Sequence, residues 1–144
     1  MGSEERAAVG RRVKIGYTAG VWDLLHRGHL NLLWETRKLC DVLVVGVVSD
    51  TGAAAYKGRV PVQSTEQRMR AIERLGFVDV VVLQPTTDPS EILERIRPDL
   101  MTHGDDWDRL REGHDTLERL GVEWVLIPYT RGVSTTQLRE RMAS

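Results

Sequence analysis

Two histidines, His26 and His29, stand three residues apart in "GVWDLLHRGHL" (20–30) with Gly28 between them, in a chain of 144 residues that has four histidines in all. The segment lies where an apolar run gives way to a helical pattern. Backbone amides and the helix dipole there favour an anion. Gly28 lets a ligand approach closely, and imidazoles donate to phosphate oxygens whether neutral or charged. Two such donors beside a helix N-terminus suit a polyphosphate. Taken singly, His26 reads as a polar helix cap and His29 as a satisfied surface residue; taken with Gly28, the pair points to function. A metal is the other chemistry open to them, because histidines at i and i+3 share a helix face and Asp23 is close by. No H-E-x-x-H accompanies them.

Other stretches could hold the same anion. In "TRGVSTTQL" (130–138) Gly132 precedes Ser134, Thr135 and Thr136 where a last helix begins, so hydroxyls, amides and dipole all point one way. Ser134 with Gln137 also fits the capping-box pattern, as Ser64 with Gln67 does, and either segment alone reads as a cap. Lys57 and Arg59 fall in "SDTGAAAYKGRVPVQS" (49–64), whose small residues, glycines and proline predict a loop of about 15 residues, long enough for a functional flap. Cations there are either solvated or grip phosphate. "HGDDWD" (103–108) sets adjacent carboxylates before an indole, which suits a helix start with Trp107 anchored in the core as well as a ligand site. Trp34 and Trp124 read as structural, His114 and Cys40 as incidental. Neither a G-x-G-x-x-G after the first strand nor a P-loop is present.

The elements that must position these groups alternate along the chain. "RVKIGYTAG" is strand-like up to Tyr17, and "DVLVVGVVSD" is apolar almost without a break, as a parallel strand covered on both faces is. Between them Leu30, Leu33, Trp34 and Leu39 recur at helical spacing with Glu35, Arg37 and Lys38 interposed, which predicts a right-handed strand–helix–strand crossover. Further helices are expected near 65–75, 89–96, 109–120 and from Thr135, and strands at 78–83, at 100–102 and in "EWVLI". The fold class is therefore α/β, a Rossmann-like open parallel sheet with helices on both faces and ligands at the strands' carboxyl ends.

Composition narrows the partners. With 20 Lys+Arg against 21 Asp+Glu, no global field draws the chain to nucleic acid or an acidic membrane, so an anion must be held by a local site. Residues 1–11 read as a flexible polar lead and 12–144 as one domain. No apolar run approaches the roughly 20 residues that span a bilayer. The single cysteine excludes an internal disulfide framework, and a cytoplasmic location is expected.

Together, "GVWDLLHRGH", "EQR" (66–68), "GDDW" (104–107) and "RGVSTT" (131–136) resemble the cytidylyltransferase family, within the wider group of H-x-G-H nucleotidyltransferases, and its glycerol-3-phosphate branch is the nearest likeness. The likeness runs from about Lys14 to Met142. It implies a nucleotidyltransferase-type sheet, with His26, His29, Lys57 and Arg59 as catalytic residues against phosphate. Nucleotide contacts are implied for Gly20, Val21, Trp22, Gly28 and Arg68. Gly104, Asp105 and Trp107 match positions near base and ribose, while Thr130, Arg131, Ser134, Thr135 and Thr136 match the signature that grips the triphosphate. Asp23, Lys57 and Tyr129 match acceptor-side positions. Three places depart from the pattern: Val21 replaces a threonine, Tyr129 an arginine, and Gly76 another arginine.

The resemblance implies transfer of CMP from CTP to a phosphorylated or phosphonate acceptor such as glycerol 3-phosphate, with release of pyrophosphate. Mg²⁺ would be bound through the nucleotide's phosphates rather than by the protein, and the enzyme would be a homodimer. The acceptor oxygen is already an anion, so catalysis reduces to alignment and charge neutralisation. Other readings are an ATP-dependent adenylyltransferase of a sugar phosphate or cofactor phosphate, a noncatalytic nucleotide sensor, and a metal-dependent hydrolase.

Overall fold

The apolar run at 42–48 is strand β2 (Val42–Val48), and around it lie β1 (Ile15–Gly20), β3 (Val80–Gln84), β4 (Leu100–Gly104) and β5 (Glu123–Ile127). They form one sheet of order β3-β2-β1-β4-β5 in which every pairing is parallel. The computed structural model describes residues 12–104 and 112–128. Helices α1 (Arg27–Lys38), α2 (Asp50–Lys57), α3 (Thr65–Glu73), α4 (Ser90–Ile96) and α5 (His114–Leu120) complete the order.

Strand periodicity sorts the core into two layers. Leu43, Val45 and Val47 pack with Trp22, Leu33 of α1 and Ile72 of α3 on one face. Tyr17, Ala19, Val44 and Met101 pack with Ile92 and Leu93 of α4 and Leu117 of α5 on the other. Helices therefore cover both faces, as the unbroken apolar strands require. Register is pinned by carboxylates just before the strands: Asp99 accepts from Ile15 N, Asp41 from Lys14 N and Asp79 from Leu43 N, each at 2.8 Å.

The strand order reverses between β1 and β4, so the carboxyl ends of these two strands flank the crevice where such sheets take ligands. The β1 end runs into the histidine segment; the β4 end, at Gly104, runs into Asp105 and Trp107, which lie outside the described residues.

Several expectations are corrected. The stretch 49–64 is not a continuous loop: 50–57 is helix α2, because Ser49 Oγ accepts from Gly52 N, alanines fill the interior, and Gly58 closes the end in the left-handed region at φ 77°. Strand β1 continues past Tyr17 to Gly20, where Ala19 and Gly20 still pair with β2. Strand β3 starts two residues later than predicted and β4 runs on to Gly104. Trp34, expected on the apolar face of α1, is 50% exposed with its edge against Phe77. Helix α5 begins at His114; 109–111, the helix expected from Thr135 and the lead 1–11 fall outside the described residues.

A buried polar relay spans β2 and links β1 to the end of β3. The Tyr17 hydroxyl donates to Gln84 Oε1 at 2.6 Å, and Gln84 Nε2 donates to Thr86 O at 2.8 Å. It needs Gly46, where a Cβ would overlap the Tyr17 hydroxyl. Tyr17→Phe leaves Gln84 Oε1 buried without its donor, so urea unfolding should show a loss of about 1–3 kcal/mol at unchanged m-value; a variant as stable as the parent would contradict this role.

Candidate functional site

Helix α1 starts with a reciprocal cap made by the histidine pair. His26 is the N-cap in extended backbone, and its Nδ1 accepts from Gly28 N at 3.0 Å. His29, at the third helical position, turns its own Nδ1 back to accept from His26 N at 3.4 Å. This is the capping-box exchange, with imidazoles in place of the usual hydroxyl and carboxamide. The rings stack with centroids 3.9 Å apart and planes 22° apart. A nitrogen that accepts from an amide cannot carry the proton, so in the neutral form both protons sit on Nε2.

The electrostatics hold both rings neutral. Burial pushes His29 down to about 3, helped by His26 and by the charge of Lys57, and burial lowers His26 as well. The charge of Lys57, at the C-terminus of α2, thus reaches His29 at the start of α1. Lys57 and Arg59 are both exposed, on either side of the Gly58 cap. The structure thus brings together His26, Gly28, His29 and Lys57.

Other predicted residues stand behind these. Trp22 is buried, its Nε1 donates to Gly46 O at 2.8 Å, and its ring edge supports His29 at 5.5 Å. Gly20 lies against that indole, where a Cβ would come 3.0 Å from the ring. Asp23 is buried with its carboxylate accepting from Val62 N at 2.8 Å and Gln63 N at 2.9 Å. In return Gln63 Oε1 accepts from Leu24 N at 3.0 Å. This exchange ties the segment after α2 to the segment after β1, and it holds Trp22 and Leu24 at φ 57° and 52°, a conformation unfavourable for side-chain-bearing residues.

Arg68, predicted to contact nucleotide, is 0% exposed. Its guanidinium donates to Gln63 O, Val21 O, Val48 O, Asp50 Oδ1 and Thr65 Oγ1 at 2.6–3.3 Å. Those five bonds use its five N–H groups, so its part is to fasten the loops that carry the site, among them the Val21 carbonyl. Gly104 ends β4; Asp105, Trp107, Tyr129, Thr130, Arg131, Ser134, Thr135 and Thr136 lie outside the described residues. Among the described residues no three His, Cys, Asp or Glu side chains gather as metal ligands. Gln63, Tyr17 and Gln84 escaped the sequence reading; the signal for the last was a polar residue closing the apolar run "VVVLQ".

A depressed histidine pKa makes stability depend on pH with a definite sign. Between about 3 and the ordinary 6.5, unfolded His29 binds a proton that the folded chain does not. Stability is therefore lost as pH falls through that window, by up to about 1.4 kcal/mol per pH unit from this group. Urea unfolding between pH 7 and 5 should show the slope, and His29→Gln should flatten it; an unchanged slope in that variant would contradict the assignment.

Comparison with known proteins agrees with this geometry. Residues 17–141 match the model of the cytidylyltransferase-like family. The chain is 38% identical over 143 residues to the bifunctional protein HldE of Bradyrhizobium sp. (strain ORS 278), covering 96% of the chain and 29% of that protein. It is 39% identical over 128 residues to HldE of Desulfatibacillum aliphaticivorans, covering 87% and 26%. The chain thus spans under a third of the length of these bifunctional relatives. Among solved structures, a lipopolysaccharide core biosynthesis protein from Thermoplasma volcanium GSS1 superposes with TM-score 0.68 at 28% identity, over 84% of this chain and 99% of that one. A pantoate-β-alanine ligase from Francisella tularensis, at 15% identity and TM-score 0.65 over 95% of this chain and 69% of that one, shares the fold. With a parallel sheet, an H-x-G-H helix start at its carboxyl edge and a family match over most of its length, the chain belongs to the cytidylyltransferase-like family of nucleotidyltransferases.

Proposed function

We propose that the chain transfers a nucleoside monophosphate from a nucleoside triphosphate to the phosphate of a small acceptor, and that the acceptor is a sugar phosphate with ATP as donor. The observation that carries the reaction class is the stacked pair of neutral imidazoles at the start of α1, protonated on Nε2 and within electrostatic reach of Lys57. Support for the sugar phosphate comes from the likeness to a lipopolysaccharide core biosynthesis protein, and ATP is the donor that the adenylyltransferase reading pairs with such an acceptor. CTP and glycerol 3-phosphate are the pair that the motif resemblance to the glycerol-3-phosphate branch favours.

In this reading an acceptor phosphate oxygen attacks the α-phosphorus in line. The new P–O bond forms as the bond to the bridging oxygen breaks, and pyrophosphate leaves with its electron pair. The nucleophile needs no base, so the protein's share is alignment and charge stabilisation. His26 and His29 donate from Nε2 to α- and β-phosphate oxygens, where negative charge grows, while Lys57 and Arg59 neutralise the remaining oxygens. Gly104, Asp105 and Trp107 complete the base and ribose contacts, Thr130, Arg131, Ser134, Thr135 and Thr136 those to the triphosphate, and Asp23 and Tyr129 lie on the acceptor side. Mg²⁺ held by the nucleotide's phosphates would offset part of their charge. The reading further takes 12–144 as one domain, a cytoplasmic location and a homodimer. No described helix is long and apolar enough to cross a membrane.

The test is a matrix of four nucleoside triphosphates against sugar phosphates and glycerol 3-phosphate with Mg²⁺, scored by pyrophosphate release. ATP with a sugar phosphate should dominate; silence throughout would leave a nucleotide sensor. A second test separates cap from donor. Asn is as good an N-cap as the residue types that helices prefer, so His26→Asn should keep thermal stability within about 1 kcal/mol of the parent while kcat falls roughly 10²- to 10³-fold. Full activity in His26→Asn would contradict phosphate donation by His26.

A further inference from the structure

We propose that a cavity beside the phosphate site holds the hydroxylated body of the acceptor and makes the enzyme selective for sugar phosphates over shorter polyol phosphates, an inference that rests on the transfer reading above. The cavity is a solvent-open cleft of about 480 Å³ between α2 and the segment after β3, and its wall includes Thr51 and Tyr56 of α2, Thr86, Thr87 and Glu112. That volume lies within the range of small-molecule sites.

Its position fits the acceptor. Thr86 and Thr87 follow the carboxyl end of β3, on the same edge of the sheet as the end of β1. Tyr56 lines the cavity, and the next residue along α2, Lys57, is the cation whose charge reaches His29. A ligand with its phosphate at Lys57 and the imidazoles would extend its other end past Tyr56 into the cavity.

The lining discriminates by chemistry. Among the described residues its lining carries no cation and one charged group, the Glu112 carboxylate, joined by threonine hydroxyls and the Tyr56 phenol. A phosphate would be repelled there, whereas a polyol finds an anionic acceptor and several hydroxyl partners. Tyr56 is 43% exposed and offers its ring to the C–H face of a sugar. The apolar patch of Gly52, Ala55 and Pro85 between them suits a pyranose edge better than bulk water.

The walls are built rather than adventitious. Ser49 Oγ donates to Pro85 O at 2.7 Å, and a Cβ on Gly52 would overlap that same carbonyl, so α2 is seated directly on the strand end. The Tyr17–Gln84 relay holds the Thr86 carbonyl from below, and Thr87 Oγ1 donates to Glu112 Oε1 at 2.7 Å, joining the two sides of the cavity. Such prior ordering lowers the cost of binding.

The experiment uses the full chain with Mg²⁺, the preferred triphosphate, and a panel of pentose, hexose and heptose 1-phosphates beside glycerol 3-phosphate. Thr87→Val, Glu112→Gln and Tyr56→Leu are compared with the parent, each checked by circular dichroism for folding. The expected result is a rise in acceptor KM of roughly tenfold in each variant, with kcat within about threefold and the triphosphate KM unmoved. Unmoved acceptor KM values with normal turnover would overturn the inference and leave the transfer reading standing. If no acceptor yields pyrophosphate even with the parent chain, the transfer reading falls, and the cavity is judged by saturation-transfer NMR on the same sugar phosphates. Transfer to the sugar-ring protons that is lost in the variants would still support it; no transfer to the parent chain would overturn it.

Discussion

The Nδ1 atoms of two imidazoles are taken by backbone amides of the helix turn that they begin, and the rest of the site follows from that constraint. A helix end leaves amides in need of acceptors. Here the acceptors are rings whose opposite nitrogens then carry protons. Local helix chemistry therefore orients two hydrogen-bond donors and fixes their tautomer. Neutrality matters equally. Stacked at 3.9 Å and partly buried, the rings resist protonation, so they donate without the cost of two adjacent cations.

Around that pair most of the buried polar groups serve the backbone. Trp22 supports His29 from behind, Asp23 and Gln63 exchange bonds between two loops, and Arg68 draws Val21, Val48, Gln63, Asp50 and Thr65 to one point. A buried guanidinium is stable only when all its donors are met, and the carboxyl edge of a parallel sheet, where loops bring unpaired carbonyls together, can meet them. This arrangement explains how short irregular segments hold left-handed residues at 22 and 24 beside the site. Preorganisation of this kind is what electrostatic catalysis requires.

How much of this was legible beforehand depended on the range of the signal. Strand and helix types were readable because the apolar period is local: β2 is covered on both faces and looks it, and the histidine cap sits within four residues. The Ser64–Gln67 cap likewise formed as its spacing suggests, at 2.9 and 3.2 Å. Helix α2 was missed because glycine and small residues mimic loop composition, while its start depends on Ser49 and its seating on Pro85, 36 residues away. Motif likeness assigns Arg68 and Asp23 to the site, and the directions of their side chains are set by contacts 20 to 47 residues distant, which no local pattern shows. Charge on a residue announces that it needs partners. It does not say whether the partner is a ligand or the chain itself.

The central claim is tested most directly by long-range ¹H–¹⁵N correlation of the histidine rings between pH 5 and 8, before and after adding ATP with Mg²⁺. The account predicts that His26 and His29 are neutral and Nε2-protonated at neutral pH, that His29 remains so at pH 5, and that nucleotide shifts the Nε2 resonances of both. An Nδ1-protonated ring, an ordinary titration of His29 near 6.5, or rings indifferent to nucleotide would contradict it.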